Sequence, residues 1–290
     1  MEPVKPRSPS RTQDHAFCPR YGVLRARGWR PQILSYPNLC AVLGSGVSAA
    51  LAHYNRDRQK LPSEQDFHMN ISTYANTGID EIAAELAHAK HYGARVEDQV
   101  FEASLPGMLQ KAVTALLMND PFKHLQVIEV EPTSEAHGNS RPDVVYRDEQ
   151  GCYVNDYKVK TYLPDSKSSD KPRQWDLTDE KLKWQRSWQM RHYCWQHQTT
   201  RYAVTLIILK PKVKIHMEPY ILTSDQQDLW EMDAHALWTE IAHLGEGWGR
   251  GNTAHANEYG PCEFLGACLE DGLNERAMSL SYVQVPRRDK

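Results

Sequence analysis

The stretch RPDVVYRDEQGCYVNDYKVK, residues 141–160, constrains this chain more than any other. Two runs rich in Val and Tyr, 143–147 and 152–159, flank the polar residues Asp148, Glu149, Gln150 and Gly151. That is the composition of two strands and a hairpin connection. With the turn centred between Glu149 and Gln150, Asp143 stands directly opposite Asp156. Cross-strand partners have Cβ atoms about 5 Å apart on one face. Lys158 lies two residues beyond Asp156, and side chains at i and i+2 share a strand face. The hairpin therefore gathers two carboxylates and one ammonium on a small surface.

Two carboxylates this close raise each other's pKa unless a cation sits between them. A hard divalent ion is the natural partner, because Mg2+ accepts a few carboxylate oxygens and keeps several waters. The lysine beside them can orient or deprotonate a water, or stabilise charge on a phosphate. The plainer reading of the same residues is an edge hairpin with solvated charges and a surface salt bridge.

Bulk properties narrow the class. The 290 residues are 40% hydrophobic and 24% charged, ordinary globular values that allow one large domain or two small ones. A formal net charge of −3 argues against a wholly basic nucleic-acid coat, while leaving room for a locally basic DNA surface. The opening MEPVKPRSPSRTQ has no apolar core of a secretory signal, and no apolar run approaches the length of a membrane span. We expect a soluble, cytoplasmic protein whose six cysteines are reduced thiols or metal ligands.

Along the chain, residues 1–13 read as a flexible arm. A short helix follows around Cys18, with Arg20, Arg25, Arg27 and Arg30 interleaved with Tyr21 and Trp29, suited to phosphates and stacked bases or to a solvated face. Residues 39–58 read as a helix with small residues on its inner side. Residues 79–119 carry helical spacing, with a break expected near Pro106. Residues 125–132 read as a strand bearing Glu129 and Glu131, one of which could face a metal centre. A polar, lysine-bearing loop follows Lys160. A single helix over 177–198 is expected to put Leu182, Gln189 and Tyr193 on one face and Trp184, Trp188 and Trp195 on the other, the tryptophans serving the core. Residues 202–209 have the continuous apolar pattern of a strand buried on both faces. A strand at 213–222 and an amphipathic helix at 225–244 with Trp230 and Trp238 complete the series.

Pro142-Asp143, then Asp156-Tyr157-Lys158, resembles the signature of the PD-(D/E)xK nuclease superfamily in its D-x-K form. Gln189-Met190-Arg191-His192-Tyr193 has the Q-x-x-x-Y spacing of the RecB-like exonuclease branch. Ser8-Pro9-Ser10-Arg11 with Cys18-Pro19-Arg20 resembles the opening of family members that carry an iron-sulfur cluster, of phage or CRISPR-associated type. The resemblance implies an α/β, restriction-endonuclease-like core with a central mixed β-sheet flanked by helices and the N- and C-terminal segments packed together. It implies a helical part at 14–124, a catalytic core at 125–223 and a cysteine-containing C-terminal part at 224–290. By resemblance, Asp143 and Asp156 hold Mg2+ or Mn2+, Lys158 is the catalytic lysine, and Gln189 with Tyr193 orients the strand.

The chain departs from the family in two places. Gly44, Val47 and Leu51 fit a G-x-x-V-H-x-x-L string, yet Ser48 stands where its histidine ligand is expected. Glu97, in a second G-x-x-V-E string, is a candidate replacement ligand. Cys18, Cys262 and Cys268 match cluster ligands of a [4Fe-4S] site, but Ala256 stands where a fourth cysteine is expected. His255 or His53 could complete the site, zinc could replace the cluster, or the thiols could simply pack. The expected function is a metal-dependent DNA exonuclease in recombination, repair or phage replication, partnered by DNA and by a recombinase or annealing protein. The alternatives are a non-catalytic DNA-binding or assembly protein on a decayed nuclease scaffold, and a site-specific endonuclease.

Overall fold

The computed structural model describes residues 7, 19–34, 36–60, 70–133, 135–137, 140–160, 182–209, 212–244, 256–257, 260–261 and 282–285. In chain order the elements are α1 (Pro19–Ala26), β1 (Trp29–Pro31), β2 (Ile33–Leu34), α2 (Tyr36–Lys60), α3 (Ile71–His91), β3 (Arg95–Val96), α4 (Gln99–Met118) and β4 (Gln126–Val130). There follow β5 (Val144–Asp148), β6 (Gly151–Lys160), α5 (Trp188–Gln196), β7 (Arg201–Ile208), β8 (Lys214–Ile221), α6 (Ser224–Leu244), β9 (Ala256–Asn257), β10 (Gly260–Pro261) and β11 (Tyr282–Gln284).

Five strands form one mixed sheet in the order β4-β5-β6-β7-β8, with β6 and β7 parallel and the other neighbours antiparallel. The hairpin forms in the register read from the sequence: Val144 pairs with Asn155 and Asp148 with Gly151. Its turn is fastened by Arg201 of β7, whose guanidinium donates two 2.6 Å hydrogen bonds to Asp148. Those bonds hold the Asp148 carboxyl down at about 2. The β6–β7 pair is parallel and so needs a crossover connection, in which α5 lies.

Strand alternation sorts the side chains into two layers. Val144, Tyr146, Tyr153, Tyr157, Ala203 and Ile207 pack against α2, α3 and α4. Val145, Val154, Val204 and Leu206 pack on the other face with Met190, Tyr193 and Cys194 of α5. β7 is thus buried on both faces, as its unbroken apolar run requires. The tryptophans serve packing: Trp230 and Trp238 of α6 close over Trp188 and Trp195 of α5.

Helices α2 and α3 cross at two glycines. A Cβ on Gly78 would lie 2.5 Å from the Gly46 carbonyl oxygen, and one on Gly46 would lie 2.8 Å from that of Gly78. Gly→Ala in a helix normally gains up to about 1 kcal/mol. Here it forces backbones apart, so Gly78→Ala is expected to cost about 1–3 kcal/mol in urea unfolding. Gly107, with open space around its Cβ position, provides the control and should stabilise as alanine.

Two expectations change. Two helices do span 79–119, but the break falls at Tyr92 and Gly93, where Gly93 takes φ +89°, and Pro106 lies inside α4. An interior proline costs roughly 3 kcal/mol. Seven buried residues of α4, Phe101 and Leu105 among them, outweigh it at about 1.5–3 kcal/mol for each large side chain. The helix expected over 177–198 is, among its described residues, one turn at 182–185 and then α5. Ser187 caps α5 by accepting from Met190 N–H, and its extended backbone resets the helical phase. The N- and C-terminal segments, expected to pack together, meet in a two-stranded ribbon: β1 pairs with β11, Trp29 opposite Gln284. Gly28 is at φ +82°, and a Cβ there would lie 2.7 Å from the Val285 carbonyl oxygen.

Candidate active site

The hairpin brings the expected charges together. Asp143 precedes β5 and is held across the ladder by Tyr157 N–H, which donates to its Oδ2 at 2.7 Å. Asp156 is buried in β6, and Lys158 Nζ sits 2.6 Å from its Oδ2. Lys158 also donates to Gln189 Oε1 at 3.0 Å. The amide of Gln189 donates in turn to Tyr193 OH at 2.7 Å, and Tyr193 donates to the Arg141 carbonyl at 3.1 Å. One chain of contacts therefore joins Asp156, Lys158, Gln189 and Tyr193 and returns to the hairpin two residues before Asp143. Gln189 and Tyr193 converge because they lie four apart on α5, which packs on the sheet face that carries Asp156 and Lys158.

Burial pushes the Asp143 carboxyl up to about 7, the Asp156 carboxylate adds to the rise, and Lys158 opposes it. Burial works against the Lys158 ammonium, but Asp156 and Asp143 outweigh it and its pKa moves up. Burial, with Asp156 beside it, drives the Tyr193 phenol well above its usual range. Lys158 is therefore a charged donor while both carboxylates face it, and neutralising either one weakens the hold on its proton.

This donor set fits a hard divalent cation. Asp156 Oδ2 is buried and, despite its contact with Lys158, has no hydrogen-bond geometry to any donor. Two buried carboxylates facing one ammonium leave an excess negative charge, which a further cation relieves. Among the described residues no group of three or more His, Cys, Asp or Glu side chains is arranged to hold a metal.

A stability consequence follows from the raised Asp143. Between the ordinary Asp value and about 7 the folded state holds a proton that the unfolded chain has released, so stability falls as pH rises across that window. In EDTA, the thermal midpoint should fall from pH 4 to 7 more steeply for the native chain than for Asp143→Asn. Mg2+ held by the ionised pair would stabilise more at pH 8 than at pH 5. Parallel pH profiles for the two proteins would remove the assigned cause.

Other expected residues lie elsewhere. Glu97 is exposed, one residue past β3, with its N–H donating to the Leu34 carbonyl, and the structure does not bring it to the acid pair. Ser48 is half-buried on α2, which covers the opposite sheet face from α5. Cys18, Cys262 and Cys268 lie outside the described residues, as does His255. His53 donates or accepts at Thr77 Oγ1 on α3. Trp184 and Leu182 do not follow the expected phase: Leu182 is exposed, and the buried Trp184 ring lies 5.4 Å from Lys158 Nζ. The break at Ser187 is the reason. Trp184 over Lys158 and Arg141 under Tyr193 are neighbours that sequence reasoning missed, since each contact crosses elements.

No curated protein matches the chain. Among solved structures, one described as a putative exonuclease from Eubacterium rectale aligns over 95% of this chain and 93% of that chain, at TM-score 0.40 and 11% identity. Among the described residues, no helix is long and apolar enough to cross a membrane. The model of the PD-(D/E)XK nuclease superfamily matches residues 6–268, nearly the whole chain, and the protein belongs to that superfamily.

Proposed function

We propose that the protein is a divalent-metal-dependent DNA exonuclease of the RecB-like branch. The observation that carries this is Lys158 shared between Asp156 and Gln189, with Gln189 passing to Tyr193. The D-x-K and Q-x-x-x-Y motifs are thereby one hydrogen-bonded unit. Asp143 and Asp156 are the residues that would hold Mg2+ or Mn2+. The cation supplies Lewis-acid polarisation of the phosphate and a more acidic attacking water. Lys158 directs its Nζ protons at the reacting oxygens, donating to charge that builds as the water oxygen bonds to phosphorus and the P–O bond to the leaving strand breaks. Gln189 fixes the ammonium's direction, and Tyr193, anchored on the Arg141 carbonyl, fixes Gln189.

End-labelled linear and circular DNA, single and double stranded, incubated with Mg2+, Mn2+ or EDTA provides the test. Metal-dependent loss of linear DNA alone supports the exonuclease. Cutting of circles would instead establish an endonuclease. Ser48 in place of the expected histidine favours a second reading, a binding or assembly module on a decayed site. DNA binding without cleavage under any metal would establish that one.

The RecB-like motifs support a proposed role in DNA recombination, repair or phage replication, in the cytoplasm, with a recombinase or annealing protein as partner. Cys18, Cys262 and Cys268 are the proposed ligands of a [4Fe-4S] cluster. The ribbon between β1 and β11 supports a clasp between the chain's two ends. Anaerobically purified protein should carry iron and acid-labile sulfide in equal amounts, lost in Cys262→Ser. Zinc in their place would identify the alternative site.

A further inference from the structure

Three side chains from three elements converge beside the acid pair. Val130 of β4 pairs with Val144, and the next residue, Glu131, donates its N–H to the Asp143 carbonyl at 3.0 Å. The Glu131 carboxylate, 17% exposed, has Arg56 Nη2 of α2 at 2.6 Å and Arg141 Nη2 at 3.6 Å. The two guanidiniums are open to solvent, 49% and 35% exposed. Arg141 also accepts from Tyr193 through its carbonyl, so it belongs to the scaffold of the lysine relay.

Glu131 occupies a left-handed backbone conformation, φ 47°, where glycine or asparagine would be less strained. An exposed ion pair returns little stability. A side chain kept at a strained position for small structural gain points to another use. Each guanidinium offers five donors, and one carboxylate cannot satisfy two such forks. The remaining donors present two positive charges, with one negative charge between them, next to Asp143, whose backbone carbonyl Glu131 contacts. Arginine matches phosphate oxygens with paired hydrogen bonds, and an anion drawn to the acid pair needs such a counterweight.

We propose that Arg56 and Arg141, pre-set by Glu131, form a clamp for a DNA backbone phosphate adjoining the one cut at Asp143 and Asp156. The inference rests on the nuclease reading and extends it. The two arginines are positioning residues: they hold the strand, and Lys158 and the acids act on it.

The test uses the full chain and a fluorescent single-stranded oligonucleotide. Binding is measured in EDTA over a salt series, and KM and kcat with Mg2+, for Arg56→Gln, Arg141→Gln and the double variant. Each lost phosphate contact should reduce the slope of log K against log salt by about 0.7 on single strands. KM should rise several-fold while kcat stays near the native value. Arg56→Lys and Arg141→Lys keep the charge and lose the fork, so the slope should hold while KM still rises. These lysine variants decide the matter should the glutamine variants lower the thermal midpoint. A native chain that binds and cuts DNA, with unchanged slope and KM in the variants, overturns the clamp and leaves the nuclease reading standing. A native chain that neither binds nor cuts overturns both.

Discussion

Lys158→Ala should lower DNA hydrolysis by about 10²–10⁴-fold, the range for removal of a positioned proton donor or acceptor. The ammonium is held at Asp156 Oδ2 and Gln189 Oε1, so its loss removes the donor and the Lys158–Gln189 link to α5, while Tyr193 stays on the Arg141 carbonyl. Binding should survive, because phosphate contacts carry most of the affinity for DNA. The far-UV spectrum should also survive, since Lys158 is half-buried and the core beneath it is apolar. Single-turnover rates with saturating protein isolate the chemical step. A variant that cuts at the native rate would remove Lys158 from the reaction. One that fails to fold would make the hairpin a structural unit. Gln189→Ala should reproduce a weaker form of the same defect, because it leaves the ammonium in place and undirected.

The second large effect lies behind the sheet. Asp120→Ala is expected to destabilise the protein by about 3–5 kcal/mol. Asp120 and Arg58 are 2% and 9% exposed and pair at 3.1 Å. Asp120 also accepts from Tyr54 OH at 2.9 Å and from Phe122 N–H at 2.8 Å. Arg58 Nη2 also lies within hydrogen-bond distance of the carbonyls of Phe122, Lys123 and Leu125. Removing the aspartate strands a guanidinium in the core, where the loss exceeds the net value of the pair. Arg58→Met combined with Asp120→Ala should therefore cost less than Asp120→Ala alone. Urea midpoints of the four proteins give the coupling directly, and additive losses would dismiss the account. The cluster continues through Asn55 to Tyr146 OH and Tyr157 OH, so it grips the hairpin from the face opposite the acids.

What the sequence revealed and what it concealed divide by distance along the chain. The hairpin register was readable because alternation and a polar turn are local, and so the convergence of Asp143 with Asp156 was readable too. The double burial of β7 followed from its unbroken apolar run. The Gln189–Tyr193 pair needed only helical spacing. Pro106 misled because its cost is local while the seven buried contacts that outweigh it come from other elements. Trp184 misled because one capping serine shifts the helical phase. Glu97 looked like a ligand by string matching, and its distance from the hairpin is a property of tertiary placement. Glu131 with Arg56 and Arg141 joins three segments, and no single window contains them.

The ribbon between β1 and β11 has a kinetic consequence. It closes nearly the whole chain into a loop with only three residue pairs. The closure entropy of such a loop grows slowly with length, about 0.6 kcal/mol for each doubling, but so few pairs repay little of it. This seam should therefore be among the first places to open in native-state hydrogen exchange, while amides of the five-stranded sheet stay protected. The protein would then breathe at this seam, releasing α1 and its arginines from the body without disturbing the β5–β6 hairpin.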